Sequence, residues 1–168
     1  MNKMHILFFI FAFAIQIGLS FGQERSFGKY LFYEFGAYGG AGIYNRDTVN
    51  NGSLHFGGDM RMVVPGALAG MVLEFGYAGP SNDFSSGSAL FSVDYLAPYV
   101  FKKRHQIFGA GGYTRLFGYK NAANIGSGYE YLFRKDRALR FEVRDYISDL
   151  NEHNVAFRVG YVVYAPAQ

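Results

Sequence analysis

The stretch A-L-R-F-E-V-R-D-Y-I, Ala138 to Ile147, decides how the rest of this chain is read. Leu139, Phe141, Val143 and Ile147 are apolar at odd positions, and Arg140, Glu142 and Arg144 are charged at even ones. A period of two marks a β-strand with two unlike faces. In a soluble sheet the apolar face packs on a core and the charges meet water. In a small membrane barrel the sense reverses, with charge inside and bulk against lipid. Which face looks inward therefore settles where the chain resides.

Composition narrows the choice. The 168 residues include 22 glycines, 14 tyrosines and 18 phenylalanines but only four prolines, with no cysteine and no tryptophan. Glycine is a poor helix former and aromatics favour strands, so the chain reads as all-β. Without cysteine there is neither a disulfide framework nor a thiolate metal site.

The first 22 residues read as a cleaved secretory signal peptide. Lys3 supplies the basic n-region, Ile6 to Ile17 an apolar core, and Ser20 and Gly22 the small residues before the cut. That apolar run is too short for a membrane-spanning helix, which needs about 20 residues. The remaining domain, residues 23–168, carries 15 basic and 13 acidic residues, a formal charge of +2. So slight an excess gives no reason to expect a nucleic-acid partner. After residue 22 nothing approaches 18 consecutive apolar residues, so a membrane-embedded form must be a closed barrel.

Eight stretches qualify as strands, near 29–44, 53–64, 68–78, 88–100, 105–116, 121–132, 138–147 and 154–164. Tight turns are expected at Pro65-Gly66-Ala67, Lys102-Lys103-Arg104 and Phe133 to Arg137. Longer polar loops are expected from Asn45, Ala78 and Ser148. Only the short break at Gly118 to Lys120 departs from this alternation. Short turns at one end and longer loops at the other are the habit of an up-and-down transmembrane barrel.

Size orients the faces. One face collects glycine and charge, the other at least 15 bulky side chains such as Phe56, Met71, Phe75, Tyr95, Ile125, Phe157 and Tyr161. The first and fifth stretches sort less cleanly, with Glu34 and Gly36 the inward pair of the first. An eight-stranded barrel has room inside only for side chains that fill it, and that bulk does not fit. Turned outward, it makes an apolar belt far larger than a soluble monomer tolerates. The expectation is an all-β, eight-stranded antiparallel up-and-down transmembrane β-barrel.

Its lumen then holds a structural charge network. The acids Glu34, Asp59, Glu74, Asp94, Glu130 and Glu142 meet Arg61, Arg140, Arg144 and Arg158, with His55 nearby. Buried charges persist only when paired, and one arginine fork can bridge two carboxylates. A plugged, salt-bridged lumen follows, in preference to a narrow ion path. Tyr30, Tyr33, Tyr95, Tyr99, Tyr129, Tyr131, Tyr161 and Tyr164 are candidates for the aromatic girdles.

With these features in place, the chain resembles the small outer-membrane β-barrel family of diderm bacteria, the OmpA-like transmembrane domains and OmpX-like barrels. The likeness is strongest over Ala138 to Tyr164, where L-R-F-E-V-R-D-Y, a polar loop and V-A-F-R-V-G-Y-V-V-Y look like a closing hairpin. In that family the last strand ends on an aromatic residue. Here Tyr161 matches the penultimate aromatic, but Val163 stands at the final position. The resemblance implies export to the outer membrane, insertion by the barrel-assembly machinery, contact with membrane lipid and lipopolysaccharide, a monomeric state and no cofactor.

Some barrels of this family modify lipids, which gives two serine–histidine–acid sets in this chain a catalytic reading. Ser53, His55 and Asp59 share one face, and Ser148, Asp149 and His153 lie together in sequence. Ser and Asp are ordinary loop formers, and His55 serves equally as a lumen partner. The four histidines have no metal-ligand spacing. A non-catalytic barrel with a structural or surface-interaction role is the primary expectation, and a deacylase or acyltransferase the alternative.

Overall fold

The structure is a computed structural model that describes residues 32–46, 49–63, 69–81, 87–102, 104–117, 121–149 and 152–166. The signal-peptide expectation, Tyr30 and the turn Pro65-Gly66-Ala67 lie outside these residues. Eight strands follow one another: β1 Phe32–Arg46, β2 Val49–Val63, β3 Gly70–Pro80, β4 Ser88–Lys102, β5 His105–Leu116, β6 Asn121–Arg134, β7 Arg137–Asp149 and β8 Glu152–Pro166. Each pairs antiparallel with its sequence neighbour, and β8 returns to pair with β1. The barrel is closed and no edge is left open, so every strand has a hydrogen-bonding partner on both sides.

A walk across the ladder measures the stagger. From Phe35 it passes Met60, Leu73, Val93, Tyr113, Ala123, Ile147 and His153, then re-enters β1 at Asn45. The shear is therefore ten residues, which with eight strands tilts them by roughly 40°. Strands of 11 to 15 residues meet or exceed the 9–11 or so that a tilted membrane strand requires.

Alternation holds around the whole wall. Phe75, Phe157, Ile43, Val159 and Tyr113 are more than half exposed on the outer face. Ser53, His55, Arg61, Glu74, Arg144 and Ala156 point inward and are sealed. Three apolar clusters line the inner face beside the charges: Val63, Val72, Leu96, Phe108 and Ala110; Ala78, Leu90, Ala122, Tyr146 and Ala156; and Leu132, Ala138 and Val162.

Three expectations are corrected. The polar segments expected as long loops from Asn45 and Ser148 are largely strand: β1 and β2 run to Arg46 and from Val49, and β7 and β8 run to Asp149 and from Glu152. Ladder hydrogen bonds satisfy Asn-rich backbone as well as any other, so polar composition there marks a wet strand end. The alternation of tight and long connections fails accordingly, since β2 and β3 are separated by residues 64–69 while β1 and β2 are separated by only 47–48. Tyr164 is not a girdle residue. It lies on the inner face, where its hydroxyl donates to Glu130 at 2.8 Å. Tyr33, Tyr95, Tyr99, Tyr129, Tyr131 and Tyr161 keep the outward parity.

Closure can be tested directly because the chain has no cysteine. Ile43 and Val155 face each other across the β1–β8 seam on the outer wall. With both replaced by cysteine, dibromobimane is expected to bridge them and become fluorescent in the folded protein. A lack of bridging, alongside bridging of a β1–β2 control pair at Ala41 and Leu54, means that the seam is open.

Candidate functional site

The side chains with chemical potential converge in the barrel interior. Arg140, on β7, projects to where β1, β2 and β6 also deliver carboxylates. Its guanidinium meets Asp59 at 2.7 Å, Glu130 at 2.5 Å and Glu34 at 3.2 Å. Beside it Arg61 contacts Glu130 at 3.2 Å and Asp59 at 3.3 Å, reaches Glu142 at 3.6 Å, and lies 4.3 Å above the Phe108 ring. That stacking turns the weakly hydrated face of the guanidinium to an aromatic quadrupole and leaves its edge for carboxylates.

A second group sits further along the axis. Glu74 accepts from Arg158 at 2.5 Å, from the Tyr38 hydroxyl at 2.5 Å and from the Tyr146 hydroxyl at 3.1 Å, and pairs with Arg144 at 3.2 Å. Arg144 also engages Asp94 and, at 2.7 Å, Glu142. Glu142 meets Arg158 at 2.9 Å and so links the two groups through Arg61. Asn124 bonds Asp94 at 2.6 Å and Thr114 at 2.8 Å, carrying the network to β5 and β6. The structure thus joins all ten charged residues singled out in the lumen into one connected lattice.

Glycine makes room for it at two places. A Cβ on Gly57 or Gly76 would stand 2.7 or 2.5 Å from the Tyr38 hydroxyl, where Tyr38 crosses the lumen to Glu74. The Tyr38 ring in turn carries Arg158, whose guanidinium carbon lies 4.1 Å from the ring centre.

His55 stands apart from the lattice, beyond Tyr146, whose ring it stacks on at 5.6 Å. Its Nε2 lies 3.2 Å from Ser53 Oγ and 3.1 Å from Asn154 Oδ1, while Ser53 Oγ donates to Asn154 at 3.0 Å. Serine, histidine and amide therefore come together, but not as a relay. A relay needs the third group on Nδ1, so that Nε2 is free to take the serine proton. Here Asn154 shares Nε2 with the serine, and His55 Nδ1 has no hydrogen-bond partner among the described residues. Asp59, proposed from sequence as the third member, is held by Arg140 and Arg61. The second set divides between the two faces of the wall. Ser148 donates inward to Glu152 at 2.9 Å, and His153 pairs on the outer face with Asp145 at 2.8 Å. Asp149's side chain lies outside the described residues. No group of three or more His, Asp or Glu among the described residues could hold a metal ion.

Several of these residues escaped the sequence reading. Asn154, Tyr38, Tyr146 and Gln106, which donates to Glu130 at 3.3 Å, have the inward parity of their strands, which was the available signal, but uncharged side chains gave no reason to single them out. Asp145 has the outward parity of β7, and only the register, which sets Ile147 opposite His153, brings it to that histidine.

No protein-family model and no curated protein matches the sequence. Solved structures do match. The N-terminal β-barrel domain of Pseudomonas aeruginosa OprF aligns at TM-score 0.59 and 13% identity, over 80% of this chain and 97% of that one. Neisserial surface protein A aligns at TM-score 0.58 and 10% identity, over 79% and 96%. Ail, the attachment invasion locus protein of Yersinia pestis, in complex with the heparin analogue sucrose octasulfate, aligns at TM-score 0.61 and 11% identity, over 82% and 100%. The chain has the fold of the small eight-stranded outer-membrane barrels.

Breaking the lattice should be costly because three carboxylates depend on Arg140. Replacing it by methionine is expected to lower unfolding stability by about 3–5 kcal/mol, the usual penalty for orphaning a buried charge. Urea titration of the refolded barrel measures this, with exposed Arg134→Gln as a control that leaves the midpoint in place. An unchanged midpoint in Arg140→Met would show that the ion pairs do not hold the barrel.

Proposed function

We propose that the chain is an integral outer-membrane protein of a diderm bacterium, a non-catalytic barrel with a lumen plugged by its own ion pairs. It acts structurally and through contacts at its rims. The observation that carries this reading is the inversion of polarity across one wall. Phe35, Phe56, Phe75, Phe141 and Phe157 are about half exposed or more on the outside, while Glu34, Arg61, Glu74, Glu130 and Arg144 are sealed inside. Such an outside is stable only against hydrocarbon, and a closed barrel leaves no backbone edge there. Arg61 stacked on Phe108 and Arg158 stacked on Tyr38, tied to carboxylates from β2, β3, β6 and β7, occupy the axis along which a solute would have to pass.

Insertion would depend on the barrel-assembly machinery, and the lipid partners would be phospholipid on one side and lipopolysaccharide on the other. Deacylation or acyl transfer is disfavoured by the Ser53–His55–Asn154 geometry, because the histidine is buried and its Nδ1 lacks an acidic partner.

Fractionation of expressing cells, with gels of unheated and boiled samples, tests the membrane reading. An outer-membrane band that shifts on boiling is expected, and a soluble periplasmic product with no shift would refute it. In planar bilayers the purified protein is expected to give no conductance steps, whereas Arg140→Ala together with Arg61→Ala should produce them. Steps from the wild type would mean an open path. Lipid A acylation should be the same in cells carrying wild type, His55→Ala or a deletion, and any wild-type-specific change in acyl chains would restore the enzyme reading.

A further inference from the structure

The outer charges of this barrel are unevenly placed. At the rim where β1 begins and β8 ends, two neighbouring hairpins turn: β4–β5 at Arg104 and β6–β7 at Lys135 and Asp136. Among the described side chains the first turn offers Arg104 and the second Arg134, Lys135, Asp136 and Arg137, four cations against one carboxylate. Arg104, Arg134 and Lys135 are exposed, and Arg137 is partly so. Among the described residues the one internal pair, Arg137 to Asp136 at 3.4 Å, is itself largely solvent-exposed and neutralises little. At the opposite rim the described charged side chains are Arg115, Asp145 and Glu152, with His153, a mixed and slightly acidic set.

These cations are also fixed in depth. The Arg104 carbonyl accepts from Leu132 N at 2.9 Å and the Asp136 carbonyl from Tyr164 N at 2.8 Å, so each turn is bonded to the strand beside it. Directly below lies an outward aromatic band. His105 bonds the Tyr129 hydroxyl at 2.7 Å and packs on Tyr131, and Phe133 packs on Tyr161. Arg137 is two residues from outward Leu139, or roughly 7 Å along the strand. A guanidinium on that short a tether sits at headgroup depth above lipid-facing rings.

We infer that this basic rim is a binding surface for anionic phospholipid headgroups, their phosphates seated between the two turns and their chains against the tyrosine band. The inference rests on the membrane reading above. Lipid is favoured over a soluble anionic polymer because the cations are flush with the apolar belt and do not project on long loops.

The full chain is refolded into bilayers of equimolar phosphatidylcholine and phosphatidylglycerol, and the two spin-labelled lipids are compared for association with the barrel. Wild type is expected to prefer phosphatidylglycerol by at least about fivefold at low ionic strength, the equivalent of one cation near an anionic surface. Salt should weaken the preference. The variant Arg104→Gln, Arg134→Gln, Lys135→Gln, Arg137→Gln should lose it, and the same four positions as lysine should keep it. Equal preference in wild type and the glutamine variant overturns the proposal. So does an unchanged lipid preference with lost cosedimentation on peptidoglycan sacculi, which would assign the rim to the cell wall. Insertion is followed separately in pure phosphatidylcholine by the boiling shift. A chain that never inserts there overturns the membrane reading and the rim with it, whereas a chain that inserts without lipid preference overturns the rim alone.

Discussion

Four arginine side chains sealed among carboxylates set the terms for everything else in this barrel. Removing an ion from water costs several kcal/mol even after relaxation, so each guanidinium must be met by more than one partner. Arg140 draws on β1, β2 and β6, while Arg144 and Arg158 draw on β3, β4 and β7. Only a closed wall of small radius brings so many strands within reach of one side chain. Closure and charge pairing are therefore two descriptions of one requirement. Apolar bulk is left to the outside because the inside is already committed.

Aromatic residues divide between two tasks. Outward rings supply the belt, whereas inward Tyr38, Tyr146 and Tyr164 each bring a hydroxyl to a carboxylate and a ring to the packing around it. A carboxylate has about four acceptor sites, and arginines alone leave some of them empty in this lumen. Glu74 shows how the gap is closed, with two tyrosines and two arginines around one carboxyl group. Such an inward ring needs space on the facing strands, and Gly57 and Gly76 provide it for Tyr38.

The strand alternation was legible because a period of two survives any tilt or stagger. Arg140, Glu142 and Arg144 announce the inner face of β7 without knowledge of the fold. Strand five was harder: its inner face carries Phe108 and Ala110 with Gln106, so neither charge nor bulk marks it. Strand ends were misjudged where asparagine and serine continue past the apolar belt, since composition responds to solvent and hydrogen bonding does not. Which residues meet across the lumen was not legible at all. The contact of Ser53 with Asn154 spans 101 positions, and only the stagger of the closed ladder determines it. Tyr164 illustrates the same limit, since tyrosine suits a headgroup layer and a carboxylate equally well.

The ladder stagger and the sequence separation of the ion pairs also have a kinetic meaning. Glu34 and Arg140 are 106 positions apart, Glu74 and Arg158 are 84, and Arg61 and Glu130 are 69. Contacts so distant form only after long loops have been closed, which places this chain among slow folders. The seam between β1 and β8 unites the first and last strands of the barrel in chain order. Until it shuts, Glu34 and its neighbours on β1 remain hydrated. A ladder joined one residue out of step would turn β1's carboxylate toward the wall's outer surface and leave Arg140 short of a counter-ion. The native register of the last pairing is thus the one in which the buried arginines keep their carboxylates, and a slipped closure would lose those ion pairs.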